Sequence, residues 1–461
     1  MSPLSWLRLW CGIREPVTRA QYVASGIGLT CFKYAVEAAL ILAFAGAWLT
    51  PLDFLNPSLV ARQRALAAAP DWLPWVLFAW NLPFVWIALS MSVRRAAVAG
   101  VSPWIGLAVL MPLVGLLVMI GLASAGDRTP ENWRPLAGHD PAPEASRARA
   151  GLRAVAAGLA VGLGMLVVCV YLLHSYGAAL FLATPLAMGT VAGFVFNRPT
   201  RRSLGASAGL AALVMLASAL VLLLFAFEGL ICIAMAAPIV APLGILGGLL
   251  GKAVADLANP RAAPLTALVI AMPLVAGAER LANPPLPEYC VFTAVEVAAP
   301  PAAVWPHVVE FPDLPAPDDW FFRCGIACPL RARIEGHGVG AVRHCEFTTG
   351  DFVEPISAWE EPRRLAFDVT SQPDPMTELS PWRHVHPPHL HEQSLRSRRG
   401  EFRLVDLGAG RTRLEGRTWY TFDMHPQAYW TLWSDFSIHR IHRRVLDHVK
   451  RLAETETVPA E

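Results

Sequence analysis

The chain has 461 residues, of which 54% are hydrophobic and 16% charged, against about 25% charged in a typical soluble domain. Its formal net charge of +2 lacks the clustered basic face that nucleic-acid binding needs, so no nucleic-acid partner is expected. The charge deficit lies before Pro284-Pro285: long apolar stretches precede that point, and a soluble α+β pattern rich in aromatics, charges and histidines follows it.

Trp6 to Gly12 is short and aromatic, and Arg14 and Arg19 come before the first long apolar run, which is not the layout of a cleavable signal peptide. A spanning helix needs about 20 apolar residues. The candidates are Gly26–Leu49, Trp72–Met91, Trp104–Ala123, Val155–Leu173, Ala178–Phe196, Ala206–Phe227, Leu230–Leu250 and the shorter Ala263–Ala278. Gly, Ala and Pro recur inside them, as tight packing of membrane helices requires. Lys33 and Glu37 lie one helical turn apart in the first span and can neutralise each other. Glu228 falls at a tight turn between two spans, an interfacial position. Cys31, Cys169 and Cys232 read as inert packing residues, and no series of acids and histidines marks a proton pathway. Asp127 to Arg149, polar and rich in Pro, Ala and Arg, reads as a linker.

Within the first stretch, Thr18-Arg19-Ala20-Gln21-Tyr22 precedes the first span. Arg94-Arg95-Ala96-Ala97-Val98-Ala99-Gly100-Val101-Ser102-Pro103-Trp104 joins the second and third, Pro112-Leu113-Val114-Gly115 breaks the third, and Glu131-Asn132-Trp133 follows. This order, over residues 5–135, resembles the bacterial inner-membrane family called domain of unknown function 805. The His-Asp pair of that family's pattern is Ala97-Val98 here, and the family has no settled activity to carry over.

Loop charge sets the orientation. Arg147, Arg149 and Arg153, then Arg198, Arg201 and Arg202, then Lys252 and Arg261 flank alternate connections, which puts those connections in the cytoplasm. The N-terminal arginines and Arg94-Arg95 ask for the same side, which a re-entrant third run broken at Pro112–Gly115 would allow. An odd number of crossings then places the soluble domain on the outer side of a bacterial inner membrane. A surface-lying Ala263–Ala278 run would return it to the cytoplasm.

In the soluble part, Tyr289–Val297 alternates β-branched residues with others and reads as a strand. Ala299-Pro300-Pro301 stops it, and Ala302–Phe311 follows as a helix. Further strands are expected at Leu330–Ile334, Ala341–Thr348, Asp351–Glu360, Arg364–Thr370, Gly400–Leu407 and Thr412–Phe422, with turns at Gly336, Gly338 and Gly340 and at Gly408-Ala409-Gly410. A long helix from Pro426 to Ala453 closes the domain. Strand, helix, strand meander and long helix make an α+β plan with helices on one face of an antiparallel sheet.

This order resembles the START-like superfamily, also called SRPBCC or polyketide-cyclase-like. The resemblance rests on the opening Ala299-Pro300-Pro301-Ala302-Ala303-Val304-Trp305, the turn and strand Gly338-Val339-Gly340-Ala341-Val342-Arg343, and the last strand Arg413-Leu414-Glu415-Gly416-Arg417-Thr418-Trp419-Tyr420. It implies a helix-grip fold, a curved sheet wrapped on the long helix around a hydrophobic cavity. Members bind lipids, sterols, polyketides or other apolar molecules, and a minority catalyse. The fold class expected is therefore a polytopic α-helical membrane region followed by a START-like helix-grip domain. Residues 1–135 form the first membrane module, 136–152 a linker, 153–284 a second multi-helix membrane module and 286–455 the START-like domain.

The closing helix carries Tyr429, Trp430, Trp433, Phe436, Ile441, Val445 and Val449 at helical spacing, a face that packs the core and in this fold also lines the cavity. Trp419 and Tyr420 face the same space or its rim. Arg343, Glu354, Glu415 and His439 are candidate polar anchors for a ligand, set against a structural or surface role for each. His384, His386, His389 and His391 crowd a Pro-rich segment that reads as an exposed loop rather than a metal scaffold. Asp435, His439 and His442 share one helix face and could form a ligand or acid–base group, but the flanking Arg440, Arg443 and Arg444 favour a solvated or headgroup-facing surface. Cys324 and Cys328 lack the usual C-x2-C spacing, and there is no H-E-x-x-H, P-loop, dinucleotide or G-x-S-x-G motif.

No cofactor and no metal is expected. The chain reads as a membrane-anchored binding protein that captures a lipid or other apolar small molecule at the bilayer surface, with no oligomeric state specified. A cyclase- or hydrolase-type enzyme using His439, and a non-catalytic interaction protein, are the alternatives.

Overall fold

The structure is a computed structural model that describes residues 3–12, 15–55, 65–66, 68–70, 72–101, 103–110, 114–128, 144–257, 263–282, 285–381, 385, 387–391 and 394–457. Two compact units form, each from several segments. The first comprises Met1–Val161, Leu186–Met215 and Leu243–Ala271, the second Gly162–Pro185, Leu216–Pro242 and Met272–Glu461. Among the described residues, five helices are long and apolar enough to cross a bilayer: Arg19–Ala45, Arg147–Leu172, Ala179–Asn197, Leu204–Leu224 and Leu230–Asp256.

The helices of the first unit are α1 (Pro3–Cys11), α2 (Arg19–Ala45), α3 (Pro51–Leu55), α4 (Leu73–Val98), α5 (Val114–Ser124), α6 (Glu144–Leu166), α7 (Thr184–Asn197), α8 (Leu204–Leu224), α9 (Leu230–Leu257) and α10 (Ala263–Ala282), of which α6 to α10 each lie partly in the second unit. α2 starts earlier than its hydropathy predicts because Thr18 and Gln21 form a capping box: Gln21 N donates to Thr18 Oγ1 at 3.3 Å and Thr18 N to Gln21 Oε1 at 3.0 Å. It stops at Gly46, whose φ of +65° suits a left-handed cap. Lys33 Nζ lies 2.6 Å from Glu37 Oε1, the pairing that their spacing predicts. α6 begins at Glu144, inside the stretch that reads as a linker.

The predicted third span is not one continuous helix. A 3₁₀ segment, Pro103–Leu110, precedes α5, and the intervening Pro112 lies outside the described residues, as do Glu131-Asn132-Trp133. Arg94 and Arg95 are fully buried. Arg94 donates to Leu9 O at 2.6 Å and Ser90 O at 3.1 Å. Arg95 donates to Leu122 O at 3.0 Å and pairs with Asp127, whose carboxylate also accepts from Arg19 N at 3.1 Å. These two arginines of the first module thus satisfy main-chain carbonyls and an acid rather than face solvent.

α7 and α9 approach through glycine. A Cβ on Gly193 would sit 2.1 Å from Gly248 O, and one on Gly251 2.0 Å from Thr190 O, so the Gly189-x3-Gly193, Gly244-x3-Gly248 and Gly247-x3-Gly251 spacings let the two backbones touch.

The second unit carries a seven-stranded antiparallel sheet in the order β1-β7-β6-β5-β4-β3-β2. The strands are β1 (Glu288–Val297), β2 (Pro329–Glu335), β3 (Val342–Phe347), β4 (Gly350–Glu360), β5 (Arg364–Asp368), β6 (Leu395–Gly408) and β7 (Arg411–Phe422). Its helices are α11 (Pro301–Val309), α12 (Trp320–Arg323), α13 (Pro388–His391) and the 31-residue α14 (Gln427–Thr457). Register breaks at Ile356/Ala358, Ser397/Arg399 and Asp406/Gly408 curl the sheet, and α14 lies across β1 and β7. This is a helix-grip architecture, a curved antiparallel sheet closed by one long helix. Leu365, Leu414, Leu446 and Val449 fill the concavity beside Trp305 and Phe367. β6 starts five residues before its prediction, through the charged run Arg396–Arg399, because Leu395 to Ser397 continue the ladder opposite Phe422 to Tyr420.

Gly193→Ala is expected to lower the thermal stability of the detergent-purified chain by about 1–3 kcal/mol, the usual cost of overpacking. Gly205→Ala, where an added Cβ meets nothing within 4 Å, should leave the melting curve nearly unchanged.

Candidate functional site

Strand alternation decides which predicted residues can reach the concave interior. On β1, Val291, Thr293, Val295 and Val297 point inward, and on β7 Thr412, Leu414, Gly416, Thr418, Tyr420 and Phe422 do so. Trp419 and Glu415 are on the opposite face. Trp419 stacks under Arg399 at 4.5 Å, and Glu415 pairs with Arg413 at 2.7 Å and Arg417 at 3.1 Å. Both are corrected from cavity-lining candidates to parts of the convex charged face, since a period of two separates them from Thr418 and Tyr420.

Where α14 crosses β1 and β7, a polar network forms. Tyr420 Oη donates to Asp435 Oδ1 at 2.5 Å and accepts from Ser434 Oγ at 2.8 Å. Thr293 Oγ1 lies 2.9 Å from His439 Nδ1 and 3.1 Å from His442 Nδ1, and Thr418 Oγ1 lies 2.7 Å from His442 Nε2. His442 therefore bridges two neighbouring strands, while His439 and Asp435 stay exposed on the same helix face. A hydroxyl both donates and accepts, and a neutral imidazole does one at each nitrogen, so the series His439–Thr293–His442–Thr418 can pass a proton. Burial, then the neighbouring His439, depresses His442 from 6.5 to about 4. Burial, then the bond to Asp435, pushes the Tyr420 hydroxyl up. The expectation of a solvated or headgroup-facing Asp435–His439–His442 face is corrected for His442 alone, which turns into the sheet. Thr293 and Thr418 escape a reading of the sequence; their only signal is a polar side chain at an inward strand position.

Arg343 and Glu354 are opposed in the β3–β4 register and form a buried ion pair. Arg343 Nε also donates to Val309 O at 3.2 Å, and its guanidinium stands 5.5–5.6 Å from the ring centres of Phe311, Phe367 and Phe402. Glu354 is raised by burial against the opposing pull of Arg343, and the adjacent Cys345 thiol is pushed up to about 12, chiefly by burial. The pair is enclosed by the core, so it holds the interior together rather than waiting for a ligand.

Tyr429, Trp430 and Trp433 occupy a different place from the one expected. They form an aromatic seam with Tyr176, Phe181, Leu222, Phe227 and Met235. Tyr429 Oη donates to Met235 O, and the rings of Trp430 and Phe181 meet at 4.7 Å. Phe436 is 41% exposed and lies edge-on to Phe321 at 5.3 Å, below Arg440. Of the loop histidines, His384 and His386 lie outside the described residues. His389 is buried beside Glu228 and Cys232, so Cys232 is corrected from a packing thiol to a member of a polar cluster.

No protein-family model matches the chain, and no curated protein matches it. Among solved structures, a norcoclaurine synthase point mutant from Thalictrum flavum in complex with a transition state analogue is 11% identical, over 38% of this chain and 99% of that one, with a TM-score of 0.26. The Zhui aromatase/cyclase from Streptomyces sp. R1128 is 17% identical over 38% and 98%, with a TM-score of 0.24. Scores of this size carry no argument about activity. The likeness to the START-like superfamily is one of fold, in the strand order and the long helix across the sheet, and the likeness of residues 5–135 to domain of unknown function 805 rests on the quoted motifs alone.

Because the folded chain keeps His442 neutral, the unfolded chain binds the extra proton between pH 6.5 and about 4, and stability falls as the pH drops through that window. His442→Gln should flatten this part of the stability–pH curve, measured by thermal unfolding at half-unit steps of pH. Separately, Arg343→Met should destabilise by about 3–5 kcal/mol, because it strands the Glu354 carboxylate. The double change Arg343→Met with Glu354→Leu should recover most of that loss.

Proposed function

We propose that the START-like domain captures a lipid or another apolar small molecule beside a membrane to which the apolar helices anchor it. The observation that carries this reading is the aromatic seam. The first turns of α14, the helix that closes the curved sheet, are packed into the ends of apolar segments of the same unit through Tyr429, Trp430 and Trp433. A mouth at that end would open at the depth of lipid headgroups, where Tyr and Trp are favoured. The polar network of Asp435, His439 and Thr293 would supply the few anchors that an otherwise apolar pocket uses to orient a ligand. Tethering raises the effective concentration of a weak binder near its source.

Native mass spectrometry of the detergent-purified full chain tests this. A retained lipid or metabolite is expected, with its occupancy reduced in His439→Trp, whose larger ring would fill the polar end of the concavity. A chain that carries no such molecule and takes up none from vesicles of phosphatidylethanolamine and phosphatidylglycerol would overturn the reading.

A second reading, an acid–base enzyme of cyclase type, is favoured by one observation: the hydrogen-bonded series from exposed His439 to half-buried His442. It requires turnover that His439→Ala abolishes while the melting temperature holds.

A further inference from the structure

The second unit gathers one set of side chains that capture of an apolar molecule does not use. Glu228 ends the turn before α9, Cys232 lies in the first turn of α9, and His389 comes from α13 in the connection between β5 and β6. One ligand atom from each lies within 4.8 Å of the other two. Cys232 Sγ is 3.2 Å from His389 Nε2, and His389 Nδ1 is 3.7 Å from Glu228 Oε1. The surroundings fix two of the three. Glu378 accepts the Ile231 and Cys232 amides at 3.0 and 2.9 Å, which locks the first turn of α9, and the Tyr176 ring packs on the imidazole at 4.8 Å.

His389 is 7% exposed, and among the described residues neither its Nδ1 nor Glu228 Oε2 has a hydrogen-bond partner. Buried polar atoms left unpaired are costly, and native proteins seldom keep them without a reason. Two chemistries fit a Cys–His–acid set. A nucleophile needs a thiolate held by positive surroundings. Here two carboxylates, Glu228 and Glu378, flank the thiol, and Glu378 already takes the amides that would have favoured negative charge. The distance from Nδ1 to Glu228 is also beyond hydrogen-bond reach. A bound cation reverses the electrostatics, because the charges that oppose a lone thiolate then favour the ion.

We propose that Glu228, Cys232 and His389 bind one thiophilic divalent transition metal of the zinc class, with a fourth coordination position left open. Thiolate and imidazole select such an ion over magnesium or calcium. The Cys232 thiolate and the Glu228 carboxylate neutralise a divalent charge, and the Glu378 carboxylate beside Cys232 adds further negative charge. Binding displaces the thiol proton to solvent, and no electron is transferred. Three protein ligands with one vacant position is the arrangement of metal sites that hold a water or a substrate atom. The site stands apart from the His439–Thr293–His442 network and does not depend on what the concavity holds.

The test is cobalt(II) titration of the full chain purified in detergent and stripped of metal with a chelator. One cobalt per chain is expected, with a thiolate-to-cobalt charge-transfer band that zinc abolishes. Cys232→Ser should lose the band, and Glu228→Gln and His389→Ala should each weaken cobalt binding by roughly tenfold or more. The double change His384→Ala with His386→Ala should keep both band and affinity. A second measurement needs no variant: zinc should slow iodoacetamide alkylation of Cys232 in the native chain by roughly tenfold or more, and leave exposed Cys290 unaffected. A native chain with neither the band nor zinc protection of Cys232 overturns the proposal. So does a band that survives in Cys232→Ser.

Discussion

A helix that begins among apolar side chains has backbone N–H groups that must find acceptors, because neither lipid nor hydrophobic core supplies any. In the second unit, two carboxylates meet that demand. Glu279 of α10 accepts the Ala178 and Ala179 amides at 2.6 and 3.0 Å, and Glu378, in the connection between β5 and β6, accepts those of Ile231 and Cys232. Each acid also lies at the positive end of a helix dipole, where negative charge is stabilised. Glu378 binds the sheet domain to the start of an apolar helix, so the connection that bears it cannot be a loose surface loop. Leu230 N donates to Leu379 O at 2.8 Å, and a Cβ on Gly229 would collide with Glu378. The aromatic seam, and the meeting of His389 with Glu228 and Cys232, both follow from this docking.

Inside the curved sheet, two sets of polar groups have partners built in. Arg343 and Glu354 face each other across two strands and share the interior with phenylalanines. His442 is tolerated because Thr293 and Thr418 stand on adjacent strands at hydrogen-bond distance. One part of the interior is thus a closed core around Arg343 to which α14 contributes Leu446 and Val449, and the part around His442 is polar, with His439 and Asp435 exposed beside it.

The strands and the closing helix are legible in the sequence because their signals are local: alternation for β1 and β7, glycine turns between strands, and a long stretch at helical period. The start of β6 is hidden because Arg396 to Arg399 look like a charged loop; only the ladder to Tyr420–Phe422 makes them a strand. The interruption of the third apolar run is legible, since a 3₁₀ segment there precedes α5, while the close approach of Gly106 to the backbone of Val93 appears only in three dimensions. Tyr420 and His439, expected to line or anchor the cavity, hydrogen-bond to Asp435 and Thr293. Tyr429 and Trp430, expected to line the same cavity, pack instead in the seam, because helical period names a buried face without saying what buries it.

By itself the sequence determined the apolar helices and the α+β order that follows them, since hydropathy and periodicity are properties of neighbouring residues. It also determined the Lys33–Glu37 pair, whose partners are four residues apart. Only the tertiary structure decided that Glu415 and Trp419 face away from the concavity, that His442 is bridged by two threonines, and that Cys232 and His389, 157 residues apart, meet beside Glu228. Those contacts depend on strand register and on the docking of one connection onto a helix start, which no local pattern encodes.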